Sequence, residues 1–365
     1  MIGFNHNNGM RPLLWALLLL FVPLQSQGEE INTKQIVLGH IGDAYEWHMG
    51  TFGGWECTIP LPIIVHSPTS GWHCFSSARL HDEGAEFEGL RIAEEGPYEG
   101  KIVERQADGS DLRPLDLSMT KTAAGLLINS LLIIVLILGC ARWYRRRRPD
   151  SPAPRGFVGM IEALVSTLVE DLIKPCVGPS YRRFAPYLLT VFCFILINNL
   201  MGLIPIFPGG ANVTGNIAVA FILALATFLA VNLFGRRTYW KEIFWPDVPT
   251  WLKIPIPIIP LIEFVGIFTK PFALMIRLFA NIMAGHAVIL SLTCVVFVTA
   301  KMGTLINGSM TVVSVFFSIF MNCLELLVAF LQAYVFTLLS AVFIGLAQEE
   351  GHTETEIKPS NHLKS

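Results

Sequence analysis

Charge is scarce in this sequence. Asp, Glu, Lys and Arg make up 15% of its 365 residues, well below the roughly 25% of soluble domains. Hydrophobic residues reach 53%, and several uninterrupted apolar runs exceed the ~18 residues that mark a membrane-spanning helix. An ordinary soluble domain is excluded, and an integral membrane protein is implied. The net charge of −2 says little, because in a membrane protein the placement of charge matters more than its sum. A phosphate-binding glycine loop is also missing, so nucleotide chemistry is not expected. No recognised metal-ligand spacing occurs, and neither a metal nor another cofactor is expected.

Within that apolar background, Arg277 stands out. From Ile254 to Ala300 the formal charges are Glu263, Lys270 and Arg277 alone. An arginine keeps its proton at any relevant pH, and holding it at bilayer depth costs from about 3 to more than 10 kcal/mol depending on the scale. Such a residue persists where it faces protein or water and does something there. A fixed positive charge at membrane depth suits ion movement.

The N-terminus has the form of a secretory signal over residues 1–28: Arg11, an apolar core from Leu13 to Val22, and small residues near Ser26 to Gly28. A retained signal anchor is the alternative, and both place the next segment outside the cytoplasm. Residues 29–118 form a polar, exported, periplasmic region. Glycines punctuate short β-branched and aromatic runs there, such as Ile36–Leu38 and Ile59–His66, which predicts a small β-rich region. Its histidines, His40, His48, His66, His73 and His81, read more simply as surface residues than as metal ligands. Seven cysteines are scattered through the chain. Cys57 and Cys74 share the exported compartment, so a disulfide between them is allowed; spacing alone does not establish its geometry.

The first span is predicted over 119–142, ending on Arg142 with Arg145 to Arg148 just beyond, which marks the cytoplasmic side. Residues 143–185 form a cytoplasmic connection, within which Phe157, Ile161, Leu164, Leu168 and Leu172 recur at helical spacing. The opposite face is acidic rather than basic, which favours packing on protein as much as lying on lipid. Residues 186–350 hold four further spans, and 351–365 a cytoplasmic tail. The second span follows Arg182-Arg183 and ends at Pro205; the third, from Asn216 to Phe234, returns to Arg236, Arg237 and Lys241. Both basic clusters fall on the side that the first span demands.

The last two apolar blocks are too long for ordinary spans. Met310 to Ala347 is 38 residues, or about 57 Å of helix. Crossing a core of about 30 Å would need a tilt of roughly 60°, beyond the usual 0–40°. Ile254 to Ala300 is longer still, with Pro255, Pro257, Pro260 and Pro271 expected to break its beginning. Joined near Lys301 to Gly308, the two blocks predict a steeply tilted hairpin that presents a long face to another protein. The fold class expected is thus an all-α integral membrane protein with five transmembrane helices and a small exported β-rich region.

Arg277 and Asn281 are four apart and share a helix face. His286 lies nine residues beyond Arg277, about 13–14 Å along the axis and nearly opposite in angle. Glu325 and Gln332 lie on one face of the final helix. Pairing the helices antiparallel with Arg277 level with Gln332 brings His286 and Glu325 to within ~3 Å of equal depth, both outward of Arg277. An imidazole and a carboxylate at one depth can pass a proton, while Arg277 would repel free protons and attract a mobile carboxylate. The bland alternative is an Arg277–Glu325 ion pair that pins the hairpin.

These residues resemble subunit a of the F-type rotary ATP synthases. The stretch from Phe264 to His286, with its Arg277-Leu278-Phe279-Ala280-Asn281 core, looks like that family's signature. Glu325 to Phe336 is similar to its last-helix motif, and Asn198 to Pro205 and Asn212 to Thr214 to its second and third spans. The resemblance covers about residues 119–350. It implies that Arg277 faces a rotating ring of c subunits and separates two half-channels, that Gln332 lies near it, and that His286 and Glu325 line the outer half-channel. Many bacterial relatives carry that pair in the reverse order. The resemblance also implies a b-subunit peripheral stalk and the remaining ATP synthase subunits as partners, membrane lipid around the spans, no nucleic acid, and the inner (plasma) membrane of a bacterium. The chain would be a component of a proton-transporting ATPase rather than an enzyme alone. A secondary ion transporter or antiporter with a buried Arg/Glu/His relay is the competing reading, although no inverted repeat relates the spans.

Overall fold

The computed structural model describes residues 42–349 except 53–54, 81–84, 94–95, 107–109, 148–153, 205–206, 245–257 and 300–302. The expected signal segment, Ile36–Leu38, His40, His81, Pro255, Pro257, Lys301 and the C-terminal tail lie outside the described residues, as do the side chains of His48 and Cys57.

The N-terminal region is built of three small antiparallel sheets. β1 (Glu46–Phe52) pairs with β2 (Trp55–Pro60). β3 (Pro62–Ser67) lies between β4 (Gly71–Ser76) and β8 (Leu115–Asp116), and β6 (Ile102–Arg105) between β5 (Leu90–Ile92) and β7 (Asp111–Leu112). Along β3 the alternation is strict: Ile63 and Val65 are buried while Pro62 and Ile64 face out, as a half-buried strand requires. Tyr45, Phe75, Leu80, Leu90 and Ile102 complete that core. Burial, reinforced by its hydrogen bond to Asp116, pushes the Tyr45 hydroxyl well above the usual tyrosine range. Cys74 is an exposed free thiol. His73 contacts Glu88 and Ser70, and among the described residues no three His, Cys, Asp or Glu side chains gather as metal ligands would.

Five helical stretches are long and apolar enough to cross a membrane. α1 (Lys121–Arg145) opens on Thr120, whose side chain accepts from the Ala123 amide, and closes on Arg142 and Arg145; both ends suit the helix dipole and its orphan amides. The amphipathic stretch forms α2 (Phe157–Thr167), a π-helical turn (Leu168–Ile173) and the short α3 (Lys174–Val177). Its second half packs on protein: Leu168, Leu172, Ile173 and Val177 join the main core. α4 (Tyr181–Leu203) already contains Arg182 and Arg183 in its first turn. α5 (Ile217–Phe234) is capped by Asn216, and α6 (Arg237–Phe244) follows.

The hairpin is α7 (Ile258–Thr299) and α8 (Thr304–Gln348), of 42 and 45 residues, or about 63 and 68 Å at the α-helical rise. Two expectations need correction. Pro260 falls in the first turn of α7 and Pro271 inside it, yet the helix is continuous. A first-turn proline removes no helical bond, and one lost bond farther in is tolerated where neighbouring helices hold both flanks. The connection is also shorter than Lys301 to Gly308, since α8 already begins at Thr304. α8 packs against both α7 and α4, and Leu274, Leu278, Ala333, Phe336, Leu188 and Phe192 fill the space between them.

This packing can be tested at one glycine. A Cβ on Gly345 of α8 would fall 1.9 Å from the Cys176 carbonyl oxygen. Backbone cannot swing aside as a side chain can, so Gly345→Ala should cost at least the ~1–3 kcal/mol of ordinary overpacking, read as reduced protease resistance of the membrane-inserted chain. In the N-terminal region, hydrogen bonds from Ser67 and then Thr69 hold the Glu104 carboxyl below the usual range. A depressed carboxyl stabilises the fold above its unfolded value, about 4.3, and loses that contribution as pH falls through the folded one. Amide exchange at Thr69 and Ser70, both bonded to Ser67, should accelerate below that pH, and Glu104→Gln should flatten the dependence.

Candidate functional site

The site lies along the seam between α7 and α8. On α8, Glu325, Ala329, Gln332, Phe336 and Ser340 recur every three or four residues and are all buried, one helical stripe turned toward the rest of the protein. On α7, Arg277 and Asn281 are exposed and His286 is half-buried.

The two helices bring the polar residues together in pairs. Asn281 Nδ2 donates to Gln332 Oε1 over 2.9 Å, so Gln332 meets Asn281, one turn along α7 from Arg277. Gln332 Oε1 is thus taken by Asn281 rather than by the guanidinium, while the buried Gln332 Nε2 has no partner among the described residues. His286 Nδ1 lies 3.2 Å from Glu325 Oε1. Arg277 has no ion-pair or hydrogen-bond partner among the described residues. The pinning Arg277–Glu325 pair is therefore not formed; the carboxylate faces the imidazole instead.

Glu325 is 5% exposed, yet neither carboxylate oxygen has an aligned hydrogen bond. A buried carboxylate in that state is costly unless it is paired or protonated, and the His286 imidazole is the titratable group beside it. Two glycines border the pair. A Cβ on Gly285 would lie 2.9 Å from Glu325 Oε1, and one on Gly202 of α4 would lie 3.7 Å from His286 Nε2.

Around the pair runs a polar seam that pattern alone does not place. Thr214 donates to Asn199 (2.6 Å), and Asn199 donates to the Ala329 carbonyl (3.1 Å). Asn129 of α1 donates to Asn198 (2.9 Å). Toward the other end of α8, the Tyr187 and Thr227 hydroxyls lie 2.9 Å apart, and those of Thr227 and Ser340 3.2 Å apart. The available signal is the presence of amides and hydroxyls inside apolar spans, which are uncommon there unless they bond across helices. Gly285 leaves no such signal, because its value lies in what approaches it.

Fold and site define a polytopic membrane protein in which a fixed cation and a His–carboxylate pair share one overlong helical hairpin, the arrangement of an ion-translocating subunit. Comparison with known proteins gives the family. Residues 127–345 match the family described as ATP synthase A chain, and the chain belongs to that family. It is 42% identical over 253 residues to the ATP synthase subunit a of Chlorobium phaeobacteroides (strain DSM 266), covering 68% of this chain and 70% of that one. It is 40% identical over 237 residues to that of Chloroherpeton thalassium, with 64% and 67% covered. For Anaeromyxobacter dehalogenans the identity is 37% over 267 residues, with 68% and 65% covered. Residues 36–120 match a separate family described as a domain of unknown function.

Gly285→Ala tests how closely the carboxylate depends on its glycine. The added methyl meets the far end of a flexible side chain, so the helices should hold while Glu325 is displaced. ATP-driven proton pumping in membrane vesicles should fall by about tenfold or more, in line with the cost of misplacing a reacting group by about 1 Å, at unchanged subunit content.

Proposed function

We propose that Arg277, Asn281, His286, Glu325 and Gln332 carry the proton-translocating step of this subunit, which couples proton flow to rotation of the c ring and to ATP synthesis. The observation that carries the reading is the His286–Glu325 contact of 3.2 Å on the same hairpin as an Arg277 that no carboxylate among the described residues neutralises. A proton from outside reaches Glu325 and His286 and passes to a ring carboxylate, which becomes neutral and can turn into lipid. After nearly a full turn the ring site releases its proton toward the cytoplasm. Arg277 holds the returning carboxylate ionised and repels protons that would cross directly. Asn281 and Gln332 fix the helix register around it.

The exposed face of α7 suits a close partner. Ala273, Ala280 and Ala284 flank Arg277 on it, and small residues let another helix approach closely in a membrane. The basic clusters support an orientation with the N-terminal region outside and the C-terminus in the cytoplasm. The Arg236 amide donates to the Ala347 carbonyl over 2.9 Å, so the end of α8 shares a side with Arg236 and Arg237. The membrane is then the inner membrane of a bacterium, with the peripheral stalk and the other ATP synthase subunits as partners.

Arg277→Ala, assembled in the whole complex in vesicles, should abolish ATP-driven proton pumping. Its survival would overturn the assignment of Arg277 as the barrier.

A further inference from the structure

The N-terminal β-rich region touches the helical domain at points that matter for the His286–Glu325 pair. Its chain is tied to the first turn of α1: the Lys121 amide donates to the Ala44 carbonyl (2.8 Å) and the Thr122 amide to Asp43 Oδ1 (3.0 Å). Those amides are among the orphan donors of a helix N-terminus, so here the β-rich region completes the span. Trp47, 2% exposed, is buried with Leu61, Ala124, Ala211 and Val213, and its ring meets Phe207 edge-on at 5.3 Å. Gly125 of α1 makes the seat. A Cβ there would lie 2.6 Å from Ala211 Cβ, 3.3 Å from Val213 Cγ2 and 3.7 Å from Trp47 Cη2.

The turn that Trp47 holds reaches the site directly. A Cβ on Gly202 would lie 3.8 Å from the Ala211 carbonyl oxygen and 3.7 Å from His286 Nε2, so the turn and the imidazole both border this glycine. Asn212 Nδ2 lies 3.7 Å from Met283 Sδ on α7, and Thr214 bonds Asn199 beside α8. Lys121 is within electrostatic reach of His286, and Asp43 of Lys121.

We propose that the β-rich region is the outer wall of the proton inlet, and that Trp47 is the positioning residue that holds the 207–214 turn over the His286–Glu325 pair. This rests on the reading of that pair as the outward proton-handling site. The region's role is therefore local and geometric: it closes the seam between α1, α4 and the turn, and leaves protons one path to the imidazole.

The test uses the full chain in the assembled complex, in a Cys57→Ser/Cys74→Ser background so that the region's own thiols do not react. Val213→Cys, at a fully buried position, reports whether the turn stays shut to a membrane-impermeant maleimide added from outside. Trp47→Ala should expose the introduced thiol and lower proton-driven ATP synthesis and passive proton conductance by about ten- to a hundredfold, at equal amounts of ring-bound subunit. Trp47→Phe should restore both. Gly125→Ala, which pushes on the turn from the span side, should lower conductance while leaving the β-rich region intact. Normal conductance in Trp47→Ala, whether or not the introduced thiol is labelled, would overturn the proposal. Loss of pumping in Arg277→Ala alongside normal flux in Trp47→Ala would overturn the wall and leave the translocation reading standing.

Discussion

The hydrogen bond between Asn281 and Gln332 fixes the register of two helices that otherwise present long, nearly uniform apolar surfaces to one another. Leucine against leucine gives little preference for one register in lipid, since the surroundings are as apolar as the contact. A pair of amides does, because sliding by a turn would strand both in hydrocarbon, at a cost of several kcal/mol for each lost partner. With that register set, His286 meets Glu325, Gly285 passes over the carboxylate, and Arg277 is left on the open face. The polar placements within the hairpin itself follow from that side-chain bond and the helical repeat.

Part of this is legible in the sequence, for a physical reason. Helical periodicity and antiparallel pairing are rigid rules, so counting residues is enough to bring His286 and Glu325 to one depth. That count sets Arg277 level with Gln332. In the structure the partner of Gln332 is Asn281, one turn away, and the His–Glu pair survives because the change stays within side-chain reach. Pro271 departs from expectation for a different reason. Its local preference to break a helix is real, but the packed flanks of α7 outweigh one missing backbone bond.

The features that stay invisible in the sequence are the close approaches. Gly345 beneath the Cys176 carbonyl, Gly125 beneath Trp47 and Gly285 beneath Glu325 look alike in sequence to Gly266 or Gly308, around which a Cβ would meet nothing within 4 Å. A glycine's significance here is set by its neighbour in space, and no local rule supplies that neighbour. The same holds for the β-rich region. Its alternating strands can be read, but its seat on α1 depends on a tryptophan that any β-rich surface could bury.

Distance also explains why the cation and the pair sit apart. Nine residues separate Arg277 from His286 along α7, about 13 Å of helical rise. At an effective dielectric of about 20, a unit charge acts on another at that range with roughly 1.3 kcal/mol, against about 4 kcal/mol at 4 Å. On the proposed reading, Arg277 acts on a ring carboxylate in contact with it about three times as strongly as it acts across that rise. Had the guanidinium paired with Glu325, the carboxylate would be held as an anion, and the charge that the proposed function assigns to the ring would be neutralised within the chain. On that reading, the separation along one helix lets the proposed barrier and the proposed relay act at different depths of one path.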